Sequence, residues 1–233
     1  MALPKLETKT YTLTLPSTGE EIKYRPFLVK EQKILMMAQD SKDKKEIVDA
    51  MSSLISSCTF DKVNPNTCPL FDAEYLFLKI RGKSVGDIVE VTTTCPDDKK
   101  TKANISVDIN EIECNMTDDH TREIEISDGI KIIMNYPLLK DTKIFMNDGP
   151  NMVFDALESC IDSIEHGETV HNKVDITKKE LTEFVDSLNT RQFEKLTSFF
   201  NTMPKLRHVV EITNPETKVT SEIILEGLDS FLV

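Results

Sequence analysis

Apolar and polar positions alternate along this chain with a period that switches between two and about three and a half, and each switch marks a new element. Tyr11-Thr-Leu-Thr-Leu15 and Glu21-Ile-Lys-Tyr24 alternate on either side of Pro16-Ser-Thr-Gly19, which predicts a β-hairpin. Arg25-Pro26 closes it, because proline disfavours helix in the residue before it. Over 28–39, Leu28, Ile34, Leu35 and Ala38 recur at helical spacing. Over 43–58, Ile47, Met51, Leu54 and Ile55 share one face. Asn64-Pro-Asn-Thr-Cys-Pro69 reads as a loop. Residues 71–86 read as a third helix, with Asp72 as its expected cap. Phe71, Tyr75, Leu76, Phe77, Leu78 and Ile80 cover more than one stripe of it, so it is either the spine of a core or a docking element.

The β-period returns at Ile88, Val89 and Val91, runs to a turn at Cys95-Pro-Asp-Asp98, and resumes at Ile105, Val107 and Ile109. Glu123–Ser127 and 130–135 form another hairpin around Asp128-Gly129, with one wet face. The last third is helical. Residues 151–165 place Val153, Leu157, Cys160, Ile161 and Ile164 on one side. Thr177-Lys-Lys-Glu180 is a capping box opening a helix to about Leu188. Thr190–Thr202 carries Phe193, Leu196, Phe199 and Phe200 and stops before Pro204. A closing hairpin pairs 207–213 with 219–225 around Asn214-Pro-Glu-Thr217, and the apolar tail 227–233 is expected to dock back. The fold class is α+β: an N-terminal hairpin, a helical layer, central hairpins, and C-terminal helices closed by a hairpin. The expected division is 1–115 and 116–233, or one compact domain.

Composition narrows the function classes. With 233 residues the chain can bury a real core. Its 28 basic against 40 acidic residues give a net charge of −12, which disfavours direct contact with nucleic acid phosphates and suits partners with basic surfaces. The start, Met-Ala-Leu-Pro-Lys-Leu-Glu-Thr-Lys-Thr, has no apolar run of signal-peptide length, and no stretch reaches the roughly 18 apolar residues of a membrane span. A cytoplasmic location is expected, where Cys58, Cys68, Cys95, Cys114 and Cys160 read as free thiols.

Candidate chemistry is sparse. Cys95-Pro-Asp-Asp98 resembles half a zinc ribbon, but a metal knuckle needs Cys-x-x-Cys to bring two thiolates to one ion, and Asp98 stands where the second cysteine belongs. The C-terminal hairpin offers only Thr213 and Thr217 around Asn-Pro-Glu, so no metal site is predicted. His166 and His171 read as loop residues, and Asp118-Asp-His120 as a solvated turn. No Ser-His-Asp context, P-loop or Gly-x-Gly-x-x-Gly is present, and Arg81-Gly-Lys-Ser84 lacks a glycine-rich loop before it. No catalytic or cofactor-binding residue is assigned. Lys79, Arg81 and Lys83 either complement the helix dipole or meet an acidic partner. Met36, Met37 and Met51 read as core fillers.

Four stretches share a wider likeness: Leu15-Pro-Ser-Thr-Gly19 through Tyr24-Arg-Pro-Phe-Leu-Val-Lys-Glu31, Pro69-Leu-Phe-Asp72 through Gly86, Cys95-Pro96, and Leu225-Glu-Gly-Leu-Asp-Ser-Phe231. Together they resemble the baseplate hub assembly proteins of T-even-like contractile-tailed bacteriophages. The resemblance implies a non-enzymatic factor in the host bacterial cytoplasm that binds hub or spike subunits and promotes baseplate assembly. The alternatives are a stoichiometric subunit of the virion baseplate and a degenerate zinc-ribbon-like regulatory binding protein. Relatives in that family carry fuller Cys-Pro-x-Cys knuckles; this sequence departs from them at Asp98 and in its final hairpin, so metal binding is not carried over. Partner contacts are expected at Tyr24, Arg25, Phe27, Tyr75, Lys79, Arg81 and Lys83.

Overall fold

The computed structural model describes residues 6–115, 117–142 and 151–231. They fall into two compact units, one formed by Met1–Asn115 with Pro204–Val233 and the other by Met116–Met203. The chain therefore leaves the first unit, builds the second, and returns. The division expected at 115/116 differs from this in one respect: the C-terminal hairpin joins the first unit instead of the helices that precede it.

The first unit opens with strands β1 (Tyr11–Thr14) and β2 (Glu21–Tyr24), paired antiparallel with Tyr11 opposite Tyr24. Helices α1 (Val29–Ser41) and α2 (Lys44–Cys58) follow, joined through Lys42 in the left-handed region. The Asp43 carboxylate accepts the Lys45 N–H at 2.8 Å and caps α2. Helix α3 (Leu70–Val85) is the spine, with Ala73, Leu76, Leu78 and Ile80 completely buried. Its cap position is Pro69, not Asp72 as expected. Asp72 lies within the first turn, fully buried, and accepts hydrogen bonds from the Ser17 N–H at 3.1 Å and the Ser17 hydroxyl. A polar side chain inside the first turn can serve a distant partner as readily as its own helix, and spacing alone does not separate the two. Strands β3 (Ile88–Thr94) and β4 (Lys102–Asp108) form a hairpin, and a short strand β5 (Glu113–Asn115) ends the segment.

The second unit is a four-stranded antiparallel meander with helices packed against it. Strands β6 (Glu123–Ser127) and β7 (Ile130–Met134) come first, then α4 (Met152–Cys160), β8 (Ile161–His166), β9 (Thr169–Asn172), α5 (Lys178–Asp186) and α6 (Thr190–Thr202). The sheet order is β6-β7-β8-β9. One helix had been expected over 151–165, but it stops at Cys160 and the chain turns directly into β8. Leu157, Cys160, Ile161 and Ile164 suit a helical stripe, yet Ile164 pairs with Ile132 and Ser163 with Ile133 across the sheet. Burial of β-branched isoleucines against β7 outweighs the helical spacing. His166 and His171 consequently lie in strands β8 and β9 instead of a loop, separated by Gly167 at φ 60°. The core gathers Ile132, Met134, Leu157, Ile161, Leu196 and Phe199.

Strands β10 (Lys205–Thr213) and β11 (Thr220–Glu226) complete the first unit in a three-stranded sheet of order β11-β10-β5. Leu228 and Phe231 of the tail are buried, while residues 232–233 lie outside the described residues.

Candidate functional site

Three hairpin tips of the first unit use one turn. In Leu15-Pro-Ser-Thr-Gly19, Cys95-Pro-Asp-Asp-Lys99 and Asn214-Pro-Glu-Thr-Lys218, the first carbonyl accepts the fifth N–H at 2.9, 3.0 and 2.9 Å. The fifth residue has positive φ each time, and the first is buried. A Cys-x-x-Cys knuckle would place ligands at the first and fourth positions of such turns. The second and third tips meet. Asn214 Nδ2 donates to Asp97 Oδ1 at 3.0 Å and Oδ2 at 3.1 Å, and the Thr217 hydroxyl also donates to that carboxylate. Asn214 Oδ1 in turn accepts the Glu216 and Thr217 N–H groups. Asp98 accepts from Lys100 N–H and from both Thr101 N–H and its hydroxyl. These hydrogen bonds hold the Asp97 and Asp98 carboxyls below the ordinary carboxylate value.

Zinc does not fit this pair of tips. The four ligand positions hold one thiol, Cys95, with Asp98, Asn214 and Thr217, and zinc's structural sites want four soft or imidazole donors. Among the described residues no group of three or more His, Cys, Asp or Glu is placed to hold a metal ion. The five thiols are free. Burial pushes Cys68 and Cys114 up to about 12 and Cys58 and Cys160 up to about 11, which leaves them protonated and inert.

The seven residues expected to contact partners separate into two sets. Tyr24, Tyr75, Lys79 and Lys83 line one cleft of about 530 Å3 together with Tyr11 and Asn110. Arg25, Phe27 and Arg81 are not part of it. Most of the seven already hold the unit together. Tyr24 is buried beside Tyr11, and burial lifts its hydroxyl to about 12. Arg25 pairs with Glu31 at 3.0 Å, and its N–H reaches the Cys58 carbonyl at 2.9 Å. The Phe27 N–H donates to Ser84 Oγ at 2.9 Å. Lys79 Nζ donates to the carbonyls of Ile109, Asn110 and Ile112 at 2.7, 3.3 and 3.2 Å, and burial lowers its pKa. Lys83 bonds both oxygens of Asp87 and also Asn110. Lys79 and Lys83 stand one turn apart on one face, while Arg81 is rotated roughly 200° away from Lys79. Arg81 is half-buried, its pKa lowered by that burial, and no hydrogen bond or ion pair engages it among the described residues.

His120 is not the solvated turn residue expected. Its Nδ1 lies 2.9 Å from the Thr202 hydroxyl and its Nε2 lies 3.1 Å from the Tyr136 hydroxyl. The ring packs on Tyr136 and Phe199. Met51 is buried as expected, but Met36 and Met37 are not core: they are 56% and 72% exposed. Helix α1 buries only Glu31 and Ala38. The signal was present in the consecutive run Ile34-Leu-Met-Met37, which wraps the helix instead of forming one stripe.

The fold and its polar ties define an α+β protein in which most of the singled-out residues brace its own elements, and among the described residues no helix is long and apolar enough to cross a membrane. The family model described as T4 bacteriophage base plate protein matches residues 8–233, and the chain belongs to that family. No curated protein and no solved structure matches the chain.

Proposed function

We propose that this protein is an assembly factor of the phage baseplate hub that binds hub or spike subunits in the infected bacterium and promotes their association without catalysis. Membership of the base plate family over nearly the whole chain carries this reading. The finer assignment to the hub rests on the four stretches that resemble hub assembly proteins, all of which belong to the first unit. Their residues tie that unit together through Ser17–Asp72 and Phe27–Ser84, and residues Asp97 and Asn214 join the two hairpin tips. Such bracing presents a fixed surface to partners, which lowers the ordering cost of association. Arg81 is the candidate contact whose charge no hydrogen bond or ion pair engages among the described residues.

The test is affinity purification of the tagged protein from infected cells, with and without finished particles. Hub or spike subunits should accompany it before particles form, and purified virions should contain little of it by mass spectrometry. The family description equally favours a stoichiometric baseplate subunit, and abundant copies in virions would decide for that reading.

A further inference from the structure

Helices α1 and α2 of the first unit leave an open groove of about 750 Å3 between them. Its floor is Ala38 and Ala50, both buried, and its wall is Ile34 and Met37, both exposed. Asp40, Glu46 and Asp49 line it as well, and no lysine or arginine does. Among the described residues no hydrogen bond or ion pair engages these three side chains. The lining positions 34, 37 and 38 on one helix and 46, 49 and 50 on the other recur at i, i+3 and i+4, the spacing by which a third helix packs into two. Alanine at the floor lets an incoming helix approach closely, and the flexible Met37 thioether adapts to its side chains.

We propose that this groove docks one amphipathic helix of a partner baseplate protein, with a row of large apolar residues flanked by lysine or arginine. This deepens the assembly reading and rests on it. Charge selects the occupant. A second copy seated through the same groove would set Asp40, Glu46 and Asp49 against their own equivalents, and like charges across an interface act against association. A cationic helix meets the same three carboxylates with opposite sign, and the apolar row covers Ile34 and Met37.

The probes are two model helices of about five turns, one of leucine and lysine and one of leucine and glutamate, titrated into the full-length protein by fluorescence anisotropy. The leucine–lysine helix should bind and the leucine–glutamate helix should not. Met37→Glu should weaken binding at least about tenfold, as loss of a central apolar anchor does. The triple variant Asp40→Asn, Glu46→Gln, Asp49→Asn should weaken it about tenfold. Neutralising Glu125, Asp128 and Glu168 of the second unit should leave it unchanged. Met37 is exposed, so the fold should survive, which circular dichroism checks. Equal binding of both helices, unchanged affinity in Met37→Glu, or an equal loss in the second-unit triple would overturn the proposal. A dimer abolished by Met37→Glu would overturn it too, by placing a second copy in the groove. If Met37→Glu still co-purifies with hub or spike subunits, the groove proposal fails while the assembly reading stands. If the unaltered protein brings down neither, the assembly reading fails by itself.

Discussion

The two units solve the same problem in opposite ways. The second closes one four-stranded sheet and its helices over a contiguous apolar cluster. The first has sheets of only two, three and two strands, and sheets that small bury too little to stand alone. Helix α3 packs on the three-stranded sheet, and polar ties add to it: Ser17 to Asp72, Arg25 to Glu31, Lys79 to three carbonyls, Asp97 to Asn214. A core held by packing constrains mainly volume, whereas one held by ties constrains particular side chains. In the first unit, several of the residues expected to meet partners therefore also serve as braces.

The largest expected effect separates the units most directly. Phe199→Ala removes a nearly fully buried ring from the second unit's core and should cost about 3–5 kcal/mol. Hydrogen exchange should then show lost protection over 116–203 with the first unit still protected. Equal loss in both would mean that they unfold as one cooperative body, and the comparison would fall.

Asn214→Ala should cost less, about 1–3 kcal/mol, by removing a buried amide that serves one carboxylate and two backbone N–H groups. Its effect should stay within the first unit, over both hairpin tips. Asp97→Ala should resemble it, and the double variant should be little worse than Asn214→Ala, because the two side chains act as one tie. Full additivity by denaturant titration would show that the tips are held independently.

Smaller still are the helix caps, one in each unit. Asp43→Ala at α2 and Thr177→Ala at α5 should each cost about 1 kcal/mol. Each should lower exchange protection in its own unit only, and a cross-effect would again join the two.

Much of this organisation was legible in the sequence because it is local. The hairpin tips announced themselves through proline at the second position of the turn, the α5 cap through Thr177 and Glu180, and α6 through its phenylalanine stripe. What could not be read was decided at a distance. Strand β8 depends on β7 for its identity, and β5, at three residues, depends on β10. Asp72 looks like a cap until Ser17 is beside it, 55 positions away. The Cys95 and Asn214 turns could be recognised singly, but nothing in either says that Asp97, at the third position, would bridge them. Likewise Lys79, Arg81 and Lys83 form one basic run in the sequence, and helix geometry divides it between braces and a cation with no hydrogen-bond or ion-pair partner among the described residues.

The mildest perturbation, pH, should distinguish the units without any substitution. Burial lowers the His120 pKa below its ordinary 6.5, with Asp119 opposing and Arg122 assisting. The folded second unit therefore binds this proton less readily than the unfolded chain does. Its contribution to stability is full above pH 6.5, falls as pH drops through 6.5 toward the folded value, and is constant below that. In the first unit the carboxyls shift both ways: burial raises Asp72 above its ordinary 3.8 against hydrogen bonds from Ser17, so its contribution grows as pH falls from the folded value toward 3.8. Burial raises Glu31, but bonds from Arg25 and the Leu28 N–H leave it below its ordinary 4.5, and Lys83 holds Asp87 below 3.8. Their contribution, with that of Asp97 and Asp98, is full above those ordinary values and is lost only as pH falls further. Between about pH 7.5 and 5, exchange protection corrected for intrinsic rate should decline over 116–203 and show no decline in the first unit. His120→Gln, which keeps a side chain able to donate and accept but cannot be protonated there, should flatten the decline. A decline that persists in His120→Gln would move the titration to another group, and a flat profile in the unaltered protein would leave His120 as a packing residue whose hydrogen bonds to Thr202 and Tyr136 survive its charge.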